Sequence, residues 1–71
     1  MEKVSFKDIP IGTYFTYITD RGTHNYYFKT EEVETQDSKG VYGINAVHIQ
    51  GQRAGELGGF DDDTQVYVGI V

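Results

Sequence analysis

Glycine-bearing turns cut this chain into short stretches rich in β-branched and aromatic residues, and no stretch carries the 3.6-residue apolar period of a packing helix. Those two signals together point to an all-β fold. Gly12 to Thr19 reads Gly-Thr-Tyr-Phe-Thr-Tyr-Ile-Thr, residue types that suit a pleated surface. Asp20-Arg21-Gly22 follows as a turn, with glycine where positive φ costs little. His24 to Val33 predicts a second strand, with Tyr26 and Phe28 on its core face and Tyr27 and Lys29 facing outward. Asp37-Ser38-Lys39-Gly40 is the next turn. Val41 to Gln50 alternates again, with Val41, Val47 and Ile49 on one side and Ile44 and Ala46 on the other, so both faces of that strand are expected to be covered. Gly51 to Gly59 is expected to be an irregular loop. Thr64 to Val71 is the last strand, with Val66, Val68 and Ile70 on one face. One helical turn is expected around Phe6 to Ile9, capped by Ser5 and ended by Pro10. The sum is one domain over residues 1–71, an all-β, small and strongly bent SH3-like barrel of about five antiparallel strands.

Size then limits how such a barrel is held together. A domain of 71 residues buries only about 60% of its unfolded surface. Small domains of this kind add disulfides, a metal or a partner subunit. The chain has no cysteine and only two histidines, His24 and His48, so neither a disulfide nor a zinc-type site is expected. Self-association is the remaining route, and a homo-oligomer is the expectation. The balance of 6 Lys and Arg against 11 Asp and Glu, net charge -5, disfavours long nucleic acids, whose phosphates each call for a cation. Small anions need only a few local donors and stay open as ligands. No apolar run reaches the roughly 18 residues of a membrane span, and Met1-Glu2-Lys3-Val4 lacks the apolar core of a signal peptide. A soluble, cytoplasmic protein with no membrane partner is expected.

The order Phe-x-Asp-Ile-Pro-x-Gly-x-x-Phe from Phe6, then Tyr27-Phe28-Lys29-Thr30, then Asn45-Ala46-Val47, then Phe-x-Asp-Asp-Thr-x-Val from Phe60 resembles a set of short, mostly uncharacterised proteins of tailed bacteriophages and prophages. The resemblance spans nearly the whole chain, and its motifs bear on fold more than on activity. It implies a role inside an infected cell, with action against host defences among the options.

Five residues are candidate ligand contacts: Tyr27, Lys29, Asn45, His48 and Arg53. An exposed tyrosine beside a lysine can stack a base and meet a phosphate; aromatic cross-strand packing is the alternative. Asn45 is odd within an apolar strand, and either turn backbone or a ligand edge would satisfy it. Arg53 lies in a glycine-rich stretch whose amides could cradle a phosphate, although no phosphate-loop spacing is present. His48 has no adjacent nucleophile or orienting group, so no catalytic residues are assigned and no enzyme activity is expected. Asp61, Asp62 and Asp63 are consecutive, without the alternate spacing of a calcium loop, and read as a solvated turn with no metal or cofactor. The expected function is a non-catalytic, homo-oligomeric binding protein, in its most specific form a sponge for a small cyclic nucleotide used in host immune signalling. The alternatives are an acidic inhibitor of a basic site on a host protein and a minor virion or assembly component.

Overall fold

In the computed structural model, which describes residues 2–69, the chain forms one antiparallel sheet. Its six strands are β1 (Glu2–Ser5), β2 (Tyr14–Ile18), β3 (His24–Asp37), β4 (Gly40–His48), β5 (Leu57–Gly58) and β6 (Gln65–Val68). The spatial order is β1-β6-β2-β3-β4-β5, so β1 and β5 are free edges and hydrogen bonding does not close the sheet. The all-β expectation stands, and no α-helix occurs among the described residues. The count of five strands is corrected to six. Glu2–Ser5 has weak strand propensity and becomes β1 by pairing with β6, Glu2 opposite Val68 through Ser5 opposite Gln65. Non-local pairing here overrides local preference. The Gly51 to Gly59 stretch is likewise more regular than expected. It holds a 3-10 turn at Gly51–Arg53 and then β5, which pairs Leu57 with Val47 and Gly58 with Ala46. Gly51 and Gly55 make this possible, with φ of 77° and 93°, a region costly for other residues.

The two hairpin turns fall where the sequence puts them. Gly22 N–H donates to the Thr19 carbonyl at 2.8 Å, and Thr23 N–H donates to Thr19 Oγ1 at 3.1 Å. Lys39 N–H donates to Asp37 Oδ1 at 2.7 Å, an Asx-type turn. β3 runs beyond Val33 to Asp37, and its register on β4 slips between Lys29 and Val33, so that residues 30–32 lie opposite Asn45 alone. Past that bulge β3 pairs only with β4, and the hairpin becomes an arm. At the other end, the short helical turn is a 3-10 turn, Phe6–Asp8, closed by Ile9 rather than Pro10. Ser5 does not cap it. Phe6 and Lys7 N–H already donate to the Thr64 and Asp62 carbonyls, and the Ser5 hydroxyl accepts from Gln65 Nε2 at 3.0 Å.

The core sits on one face of the sheet, under that N-terminal turn. Phe6, Ile9, Phe15, Ala46 and Val66 are buried, with Val4, Tyr17, Tyr27, Phe60 and Val68 packed against them. Phe60 is the hub: its ring lies 4.9–5.4 Å from those of Phe6, Phe15, Tyr17 and Tyr27. Aromatic contacts of this kind add to plain area burial.

This arrangement reverses the expected facing of β3. The alternation is as read, but Tyr27 and Lys29 point to the core and Tyr26 is 39% exposed. Register decides it, because Tyr27 pairs with Phe15, which is only 3% exposed. The expectation that both faces of β4 are covered is corrected too: Ala46 and His48 are buried on one face, whereas Val41 and Ile49 on the other are exposed. The expected facing of Ile70 lies outside the described residues.

Candidate functional site

Lys29 and Asn45 are committed to the fold. Lys29 Nζ donates to the carbonyls of Phe6 at 2.9 Å and Ile9 at 2.6 Å, and lies 4.3 Å from the centre of the Phe6 ring. Its charge is spent on fastening the N-terminal turn to the sheet, a pairing of charge-assisted bonds and a cation–π contact. Asn45 faces the backbone of Phe60 across the β4 margin. Its Oδ1 accepts from Phe60 N–H at 2.9 Å, and its Nδ2 donates to the Phe60 carbonyl at 2.9 Å. The side chain thus replaces a ladder partner and holds the hub ring in place. Of the two readings of Asn45, the geometry gives the backbone one.

Tyr27, His48 and Arg53 come together at the other end of the sheet. His48 is buried at the end of β4, its ring meeting Tyr27 edge-on at 4.9 Å. His48 Nε2 lies 3.4 Å from Asn25 Oδ1, while buried Nδ1 has no hydrogen-bond partner. An orphaned buried nitrogen costs stability. The backbone of His48 anchors the glycine-rich loop from both sides, through His48 N–H to the Glu56 carbonyl at 2.8 Å and Gly55 N–H to the His48 carbonyl at 2.7 Å. That loop carries Arg53 over the same end, where Nε lies 3.7 Å from Glu56 Oε2. Both side chains are exposed, so the pair is loose and the guanidinium keeps donors for other partners. Burial pushes the Tyr27 phenol above its ordinary pKa of 10.0; Arg53 opposes the rise, and Glu56 and then Tyr17 reinforce it.

Two hollows meet here. The first, about 310 Å³, is lined mostly by residues with polar side chains: His24, Asn25, Tyr26, His48 and the segment from Gln50 to Arg53. The second, about 500 Å³, is an apolar groove over Tyr14, Thr16, Tyr26, Ile49 and Tyr67. His24 and Tyr26 belong to both. Volumes of this size match drug-sized ligands, whose sites pair apolar walls with a few polar groups. The arrangement can lay a ring on the tyrosines while an anionic group meets Arg53 and the neighbouring amides.

Of the five residues singled out in the sequence, His48 and Arg53 line the polar hollow, Tyr27 backs it from the core side, and Lys29 and Asn45 do not contribute to it. The sequence reading missed His24, Asn25, Tyr26 and Gln50. Tyr26 had a usable signal: fixing Phe15 as core sends Tyr27 inward and Tyr26 outward by parity alone. Asp61, Asp62 and Asp63 are exposed in a turn, and no group of metal-binding side chains occurs among the described residues. Among these residues no helix is long and apolar enough to cross a membrane. No protein-family model, curated protein or solved structure matches the chain.

Proposed function

We propose that this protein, whose open, bent sheet we class with the SH3-type barrels, is a non-catalytic binding protein of tailed-phage type that acts as a homo-oligomer and captures a small anionic nucleotide. A cyclic nucleotide signal of host immunity in the infected cytoplasm is the specific ligand. One observation carries this reading: the aromatic groove and the Arg53-bearing polar hollow share His24 and Tyr26, so that base and phosphate could be held at once. Calorimetric titration with a panel of cyclic di- and trinucleotides tests it. Binding of at least one member is expected, weakened roughly 10- to 100-fold by Arg53→Ala, as for a lost charge-assisted hydrogen bond. The nucleotide should be recovered intact. No heat from any member of the panel removes the reading, and turnover sensitive to His48→Ala replaces it with an enzyme.

A second reading, an acidic inhibitor of a basic protein site, has its own observation. Glu32 and Asp61, from distant parts of the chain, line one further hollow together with Tyr42 and Asn45. A basic partner would be steered there by charge.

A further inference from the structure

The face of the sheet opposite the core is largely apolar, and among the described residues it is covered only in part: Thr16 is buried, Ile18, Phe28, Val47 and Tyr67 are half-buried, and Tyr14, Tyr26 and Leu57 are exposed. Parity and register place Tyr67 on β6, Tyr14, Thr16 and Ile18 on β2, Tyr26 and Phe28 on β3, Val47 on β4 and Leu57 on β5 together on this face. Tyr14 lies opposite Phe28, Phe28 opposite Val47, and Val47 opposite Leu57, one transverse row across four strands. The Tyr14 and Phe28 rings are 5.0 Å apart. Tyr14 and Leu57 are nevertheless 65% and 62% exposed.

We infer that this face is the contact by which two copies of the chain pair, sheet against sheet. Charge selects the occupant. The chain carries net charge -5, yet none of the eight positions named is a carboxylate, and Lys3, opposite Tyr67, stands at the β1 margin; Glu34, which register sets opposite Gly43, lies out on the arm. Two copies therefore meet here without bringing acidic groups together. The hairpin arm offers no such approach. Pairing two β3 edges about Val33 sets Glu32 of one copy opposite Glu34 of the other, and like charges directly across a ladder destabilise it.

Area agrees with a second copy. The chain exposes 5252 Å², whereas a compact monomer of its 8.0 kDa exposes about 4,450 Å². The excess, roughly 800 Å², is spread over the projecting β3–β4 arm, where Val33, Val41 and Tyr42 are exposed, and this face, where Tyr14 and Leu57 are; one partner's share of a standard stable interface is of that order. Its radius of gyration, 12.2 Å, also exceeds the ~11 Å of a compact domain of this length. The inference rests on the homo-oligomer in the proposed function and adds its surface. It also sets the polar hollow at the interface rim and the aromatic groove, which shares Tyr14, Thr16, Tyr26 and Tyr67 with this face, between the two copies, so that a base held there is held by both.

Light scattering at micromolar concentration, with no ligand present, tests it. The wild type should show twice the chain's 8.0 kDa, and Tyr14→Glu and Leu57→Glu should each reduce that mass by half with unchanged circular dichroism. Both side chains are exposed, so folding tolerates the change. Tyr42→Glu, on the arm, should leave the mass doubled. A wild-type mass of one chain overturns the inference and the homo-oligomer together. A doubled mass that survives both face variants, or that only Tyr42→Glu abolishes, overturns the face and leaves the homo-oligomer standing. Neither outcome depends on nucleotide capture, which calorimetry reads separately.

Discussion

On the covered face of the sheet, Phe15, Tyr27 and Ala46 lie beneath Phe6 and Phe60; one residue along on each strand, Tyr14, Phe28 and Val47 form a row of similar chemistry that the described residues cover only in part, Tyr14 being exposed and the other two half-buried. Composition does not separate the two faces. What separates them is cover. The N-terminal turn is fastened over the first face by Lys29, and the segment at Phe60 is fastened there by Asn45. Both fastening groups are polar side chains that a ligand-centred reading claims for binding. In a chain this small, polar residues on the inner face hold its lids, while aromatic residues on the outer face are free to meet partners.

Substitutions can break that contrast, beginning with the hub. Phe60→Ala should cost about 3–5 kcal/mol, the usual loss for a core aromatic ring, because the partly buried Phe60 ring meets four others; urea unfolding reads it. Asn45→Ala should cost about 2–4 kcal/mol, since it strands both backbone groups of Phe60 in a buried setting. Lys29→Met, which keeps the stem and removes the charge, should cost about 1.5–3 kcal/mol from the lost bonds to Phe6 and Ile9. If any of the three unfolds like wild type, the corresponding lid is held by something else.

Tyr27 sharpens the contrast through pH. Its folded-state pKa is raised above 10.0, so the unfolded chain gives up this proton first. Its contribution is therefore fully present below that value and is lost as pH rises past it. Thermal melts should fall above about pH 10 and fall less steeply in Tyr27→Phe. An equal slope in the two proteins would mean that Tyr27 is not desolvated. The smallest effect belongs to the other face. Tyr14→Ala should change stability by under about 0.5 kcal/mol in the dissociated chain, and a loss on the scale of Phe60→Ala would show that the outer face is core after all.

Strand periodicity, the two hairpin turns and the apolar character of both faces were legible in the sequence, because they depend on local residue types. Which face is covered was not legible. Alternation gives parity without sign, and the sign came from Phe15 pairing with Tyr27 and from lids that arrive from residues 6 and 60. β1 and β5 were missed for a related reason: neither has strand chemistry of its own, and each exists by pairing with a neighbour. The site was half legible. Arg53 and His48 stood out as a cation and an imidazole near glycines, whereas Lys29 and Asn45 drew attention as polar residues among apolar ones and turned out to serve the backbone. His24 and Tyr26 became visible only when register placed them beside Arg53.

The six tyrosines report on both faces at once. Fluorine NMR of protein labelled with 3-fluorotyrosine, followed on dilution from the paired to the single chain, separates them in one series. Tyr14 and Tyr26 should move together with dilution, while Tyr17 and Tyr27, held against Phe60, should stay fixed. Movement confined to Tyr42 on the arm, or to Tyr17 and Tyr27, would contradict the division of the sheet into a face that folds the chain and a face that meets its partners.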